Sequence, residues 1–218
     1  MKRFLKRAWA EIDLDALEHN YNEIKKLAKG KEILAVVKAN AYGHDDKAVC
    51  LKLQELGVKY YGVSNLWEGE KLRQHGINGT ILTFGYTDED YFDELLEYNI
   101  TQTVGNVQYA KELSDYALSK GIKLPVHIKV NTGMTRVGID TEQEMTEILA
   151  MPGIDCKAAY THFAAADSFD ESDIEYTNKQ QEKLMSIAKD KGLLIHSQNS
   201  GGIIYHGEFG GDIVRAGV

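Results

Sequence analysis

Lys38 closes a run of five apolar residues, Ile33, Leu34, Ala35, Val36 and Val37, with no polar spacer between them. An ammonium at the end of a buried strand sheds part of its hydration, and a lysine so placed is suited to condense with a carbonyl cofactor as a Schiff base. A lysine that reaches the strand end and points into solvent would read the same way. Other residues able to do chemistry also fall at the ends of apolar runs. Tyr42 follows Lys38. Lys129 lies in VHIKV, and Arg136 lies in the loop NTGMTRVG beyond it. His162 closes AAYTH, Asn199 and Ser200 precede Gly201 and Gly202, and Arg215 precedes Gly217 and Val218. Ser200 offers a hydroxyl, and the glycines of NSGG let backbone N–H groups approach an anion at a helix start. RAGV adds the amides of Gly217 and Val218 in a tight turn. Taken singly, NSGG and RAGV are turn chemistry, His162 is a buried histidine satisfied by backbone, and Arg136 is a loop cation paired with Asp140. Taken together, a lysine of this kind facing an anion cradle describes a pyridoxal-phosphate site.

These residues need elements to position them. Short apolar runs alternate with amphipathic stretches along the whole chain. Strands are expected at 33–37, 60–64, 80–85, 101–104, 126–130, 158–163, 193–198 and 212–215. Helices are expected at about 15–29, 46–57, 67–76, 88–98, 106–120, 141–150 and 173–191, with a short one after Gly202. Asp13 or Asp15 caps the first helix, and Leu14, Leu17, Tyr21, Ile24 and Leu27 form its apolar stripe. Eight strands with intervening helices predict an α/β fold, a TIM (β/α)8 barrel, with a doubly wound open sheet as the runner-up. In such a barrel the chemistry sits at the C-terminal strand ends, where the candidate residues fall. The barrel domain is expected over 14–218, without the helix that normally follows the eighth strand. Residues 1–13, containing RAWAEID, read as a strand segment with no obvious partner inside a barrel.

Composition excludes several function classes. With 33 acidic against 25 basic side chains, the net charge is −8, which argues against a nucleic-acid footprint. The two cysteines, Cys50 and Cys156, have no CxxC spacing and argue against a disulfide scaffold and a zinc site. The basic start has no apolar run of signal-peptide length, and no stretch approaches a membrane span. The expected location is cytoplasmic.

AVVKANAYGH, HIKVNTGMTRVG, YTHFAAAD, NSGG and VRAGV resemble, in order and spacing, the successive motifs of bacterial alanine racemases, the fold-type III pyridoxal-phosphate enzymes. The likeness runs from WAEIDLDALEHN onward. The stretch AADS…YTNKQ also resembles the serine/alanine racemases of vancomycin-resistance clusters. The resemblance implies that Lys38 carries the cofactor and acts as one of two racemisation bases. It implies that Arg215 hydrogen-bonds the pyridine nitrogen, that His162 orients Arg215, and that Arg136 contacts the cofactor's phenolic oxygen and the substrate carboxylate. Tyr42 and Ser200, with the amides of Gly217 and Val218, would bind phosphate, and Asn199 would sit beside the ring. Lys129 matches a lysine that is carbamylated in several family members. Four positions depart from the family pattern: Ala216 for a common Pro, Thr135 for Gly, His or Asn, Asn131 for Asp, and Asp45 for Gly. Family members also carry a second, mostly β domain after the barrel, which gives a catalytic tyrosine to the neighbouring subunit of a homodimer. No residue here takes that role, so this chain alone is expected to bind cofactor and racemise poorly. The alternative is a barrel-only pyridoxal-phosphate-binding protein without racemase activity.

Overall fold

The computed structural model describes residues 8–207 and 209–217. Eight strands form one parallel sheet: β1 (Glu32–Val36), β2 (Tyr60–Val63), β3 (Thr80–Thr83), β4 (Ile100–Val104), β5 (Leu124–Lys129), β6 (Ile154–Tyr160), β7 (Leu194–His196) and β8 (Ile213–Gly217). Their order is β7-β6-β5-β4-β3-β2-β1-β8, so β1 to β7 each neighbour the next in sequence and β8 returns beside β1. The sheet curls into a barrel. Between β7 and β8 the ladder is replaced by three bonds: Asp212 N–H to Ile195 O at 2.8 Å, Ile195 N–H to the Asp212 carboxylate at 2.8 Å, and Arg215 N–H to Gln198 O at 2.8 Å.

Local chemistry explains the elements. Successive strands are short Val/Ile-rich runs, and most of the helices between them start on a capping side chain. Asp13 caps the helix Leu14–Leu27, Asn65 caps Leu66–Gln74, Asn106 caps Val107–Ser119, and Thr141 forms a full capping box with Glu144 at Glu142–Leu149. The outward faces of the strands and the inward stripes of these helices make the main core, built around residues such as Val63, Ile81, Leu113, Val126 and Ile148. The barrel interior divides in two. Leu34, Val36, Leu82 and Ile213 pack together on the β1, β3 and β8 side. Opposite them, β4 to β8 point Thr103, His127, Lys129, Tyr160, His196 and Arg215 inward, all buried.

The structure differs from the sequence reading in four places. β6 begins at Ile154, four residues early, because Asp155 and Lys157 read as loop charges but pair with each other at 2.6 Å near the barrel floor, where Lys157 lines a cavity with Pro125 and His127. A bulge at Lys157 lets Val126 face Cys156 while His127 faces Ala158. The expected helix at 88–98 is a 3₁₀ turn, Glu89–Tyr91, followed by Phe92–Glu97. Residues 38–42 form a left-handed turn that nothing in the pattern signals. Residues 8–13 form no strand, in keeping with the lack of any partner for them, and residues 1–7 lie outside the described residues. Among the described residues, no helix is long and apolar enough to cross a membrane.

Candidate active site

A cavity of about 620 Å³ opens at the C-terminal ends of the strands. Lys38, Tyr42, Lys129, Arg136, His162, Asn199, Ser200, Arg215 and Gly217 all line it. Val218 lies outside the described residues. Residues separated by up to 179 positions meet here because the barrel brings every strand end to one rim.

Lys38 is half-buried, beyond the end of β1, with its Nζ 5.9 Å from the centre of the Tyr42 ring. The chain then makes one left-handed turn: Ala39, Asn40, Ala41 and Tyr42 have φ of 53°, 57°, 50° and 54°. Such a conformation costs about 1–2 kcal/mol for each residue bearing a Cβ. The surroundings hold it. Glu68 accepts from Ala39 N–H at 2.8 Å and from Ser64 N–H at 2.7 Å, and Asn40 Oδ1 accepts from Asp46 N–H at 3.1 Å. The turn swings Tyr42 back across the rim. A Cβ placed on Gly217 would lie 3.5 Å from Tyr42 Oη and 3.6 Å from Ser200 Oγ, so the three converge on one spot. Gly217 N–H donates to Ser200 Oγ at 2.9 Å, which leaves the serine proton free to face a ligand. Burial pushes the Tyr42 phenol up, so it too remains a donor. Asn199 is spent locally: its Oδ1 accepts from Gly202 N–H at 2.9 Å and its Nδ2 donates to Phe163 O at 3.4 Å, which fixes the start of the segment bearing Ser200.

Arg215 is 3% exposed and has no carboxylate partner among the described residues. Its Nη1 donates to His196 O at 2.9 Å and to His196 Nδ1 at 3.2 Å. Its Nη2 donates to Thr161 O at 2.7 Å and Ser197 O at 3.0 Å, with His162 Nδ1 at 3.4 Å. The Nε–H alone has no partner among the described residues. The guanidinium lies over the Tyr160 ring at 5.5 Å, and His196 stacks on the same ring at 4.6 Å. Burial lowers the arginine to about 10, which still leaves it charged at neutral pH. His162 is held down to about 3, by burial first and then by Arg215, Arg136, Lys129 and Lys38. That crowd of cations, in a protein with a net charge of −8, marks the cavity as an anion site.

Lys129 is 6% exposed; its Nζ donates to Val130 O at 2.9 Å and lies 3.5 Å from Thr161 Oγ1. Burial, then Arg215 and Arg136, lower it to about 7, so an uncharged amine is populated at neutral pH. Arg136 is exposed on its loop and makes no hydrogen bond or ion pair among the described residues. Its expected alternative partner, Asp140, is taken by Asn131 Nδ2 at 2.9 Å and lies 3.6 Å from Lys183. Asn131 also accepts from Thr135 N–H at 3.0 Å and Gly133 N–H at 3.3 Å. An aspartate there could accept these bonds but could not donate to Asp140. Thr135, where the family pattern has Gly, His or Asn, and Asp45, where it has Gly, have φ of 56° and 69°, the region glycine enters freely. Asp45 is partly compensated by capping Ala48 N–H at 2.9 Å.

Sequence reasoning missed His127, His196, Tyr160 and Glu68. Two of them had a signal: His127 and Tyr160 each lie two residues before a named candidate, Lys129 and His162, and so share its face of the strand.

A ligand that satisfies this set carries a dianion for the cradle, an aromatic nitrogen to accept from Arg215 Nε–H, and a carbonyl for Lys38. Pyridoxal phosphate has all three, and the residues present fit it. Fold and site together define an α/β barrel with an anion-accepting amine site at its C-terminal rim. The model for the alanine racemase N-terminal domain matches residues 12–218, and the chain belongs to that family. It is 41% identical, over 96% of its length, to an alanine racemase of Clostridium perfringens. It superposes on the alanine racemase of Clostridium difficile 630 with a TM-score of 0.91 at 37% identity, covering 99% of this chain. A histidine racemase of Leuconostoc mesenteroides has a TM-score of 0.85 at 28% identity over 95% of this chain. The chain spans only part of each of these, 56%, 58% and 57% of their lengths.

Proposed function

We propose that this chain is the cofactor-binding barrel of a pyridoxal-phosphate-dependent racemase of a small amino acid, alanine first and serine second. One observation carries the reading: a buried arginine whose Nε–H has no partner among the described residues and a half-buried lysine line the same cavity as the Tyr42 and Ser200 hydroxyls. When bound, the cofactor supplies an electron sink that acidifies the α C–H of an amino acid. Tyr42 and Ser200 hold the phosphate, with Gly217 orienting the Ser200 hydroxyl through its N–H and leaving space beside it. Arg215 can only donate, so it keeps the ring nitrogen unprotonated and the sink weak, which limits side reactions. Lys38 takes or returns the α-proton on one face. Arg136, the unpaired cation at the mouth, meets the substrate carboxylate.

Racemisation needs a second proton-transferring group on the opposite face. Of the tyrosines lining the cavity, Tyr160 is buried behind Arg215 and Tyr42 belongs to the cradle. That observation favours a homodimer in which a neighbouring subunit supplies the missing tyrosine, and it also keeps open a pyridoxal-phosphate-binding role without racemisation. The proposed setting is the cytoplasm, with D-alanine serving peptidoglycan synthesis. Lys129, an uncharged amine beside two arginines, is suited to carbamylation, which would place an anion between them.

Titration of the chain with pyridoxal phosphate is expected to give a visible absorption band that Lys38→Ala abolishes. A band that persists in Lys38→Ala would overturn the assignment of that lysine. Chiral analysis of alanine and serine, with this chain and with the protein as encoded in full, separates a racemase from a binder.

A further inference from the structure

We propose that His196 and His127 are positioning residues: two imidazoles in one fixed tautomeric order, running from the barrel floor to Arg215, that hold the guanidinium with its Nε–H turned into the cavity. The inference rests on the reading above only for what that N–H meets.

The order follows from what each atom can do. Arg215 Nη1 lies 3.2 Å from His196 Nδ1, and a guanidinium only donates. His196 Nδ1 must therefore be the bare nitrogen, and its proton sits on Nε2. That Nε2 lies 3.1 Å from His127 Nδ1, which must accept in turn, so the His127 proton sits on its Nε2. His127 lines a second cavity of about 310 Å³, with Tyr60, Thr80, Thr101 and Leu194, at the N-terminal ends of the strands. The chain of bonds thus ends at the floor, away from the active site. Reversing it would set an N–H against the guanidinium and leave a buried donor unmet, at a cost of about 1–3 kcal/mol. Both rings are buried, His196 at 0% and His127 at 1% exposed. Burial lowers His127 to about 4 and His196 well below its ordinary range, with Arg215 and Lys129 adding to the effect on His196. Each ring therefore carries one proton at neutral pH. Tyr160 packs flat on His196, 6° from parallel, and blocks ring rotation. The guanidinium's other acceptors are backbone carbonyls and His162; the His127–His196 pair is the part of its surround that fixes a side-chain orientation from below.

Long-range ¹H–¹⁵N correlation on the histidine-labelled wild-type chain reads the tautomers directly. Both His196 and His127 are expected to be protonated at Nε2 and bare at Nδ1. A proton on Nδ1 of either ring, or a doubly protonated ring at neutral pH, would overturn the proposal. Two variants then separate positioning from bulk stability. In His127→Phe the acceptor for His196 is gone, and affinity for pyridoxal phosphate, followed by its visible band, is expected to fall about tenfold, the worth of one buried hydrogen bond. In His127→Gln the side-chain oxygen can still accept, and affinity should recover to within about threefold of wild type even if both variants melt earlier. Equal losses in the two variants, or none in either, would count against the idea. A wild-type chain with both tautomers as expected but no uptake of cofactor would support the histidine order while sinking the reading of the site.

Discussion

Lys129 and His162 are two bases whose folded environment resists protonation. Lys129 is lowered to about 7 and His162 to about 3, against ordinary values of 10.5 and 6.5. For each, the unfolded chain binds more protons than the folded one between those two values, so stability rises with pH across the window. The unmodified chain is therefore expected to melt at a higher temperature as pH rises from about 7 towards 9, below the range where the buried thiols of Cys50 and Cys156, pushed up to about 12, reverse the trend, and Lys129→Met should flatten that rise. Acidification below about 6.5 should destabilise the chain progressively through His162, with His127 adding to the loss. Scanning calorimetry across pH checks both. At this scale most of the site was legible. Lys38, His162, Ser200 and Arg215 stand where an apolar run meets a turn, a place where chemistry-bearing side chains are conspicuous. His196 was not, because a histidine inside an apolar run is indistinguishable from a satisfied core residue until its neighbours across the barrel are known.

The element that escaped the sequence is the left-handed turn after β1. Four consecutive residues with side chains adopt it, and no glycine announces it before Gly43. Local propensity opposes the conformation, and only tertiary partners reveal it, foremost the Glu68 carboxylate with its two backbone donors. Glu68→Ala is expected to cost about 2 kcal/mol, since hydrogen bonds to a charged group contribute more than neutral ones. It should also weaken cofactor binding, because the turn carries Lys38 and Tyr42; denaturant melts and the absorption titration measure the two effects separately. The loop bearing Arg136 stores strain of the same kind at Thr135, a β-branched residue at φ 56°. Thr135→Gly is expected to stabilise the fold by about 1 kcal/mol, measured by the shift of its urea midpoint. The late recognition of β6 has a different cause. Asp155 and Lys157 satisfy each other, so charge that reads as loop sits comfortably on a strand.

The alternation of strands and helices was readable along the whole chain, but closure was not, since pattern alone fits an open sheet equally well. Closure depends on the β7–β8 junction, where Asp212 stands in for the missing ladder. Asp212→Ala is expected to destabilise the barrel by about 2 kcal/mol through the loss of a charge-assisted bond to Ile195 N–H. Amide hydrogen exchange should rise at Ile195 more than at the paired strands β2 to β5, and uniform protection would refute the idea of a local weak point. The two halves of the proposed phosphate cradle stand on either side of this junction: Ser200 follows β7 and Gly217 ends β8. In the proposed complex, a dianion gripped from both sides would be a keystone for the ring of strands. Ligand capture and barrel integrity then draw on one free energy, so saturating phosphate ester at a hundred times its dissociation constant adds about 2.7 kcal/mol of resistance to unfolding, felt first where the ring is thinnest.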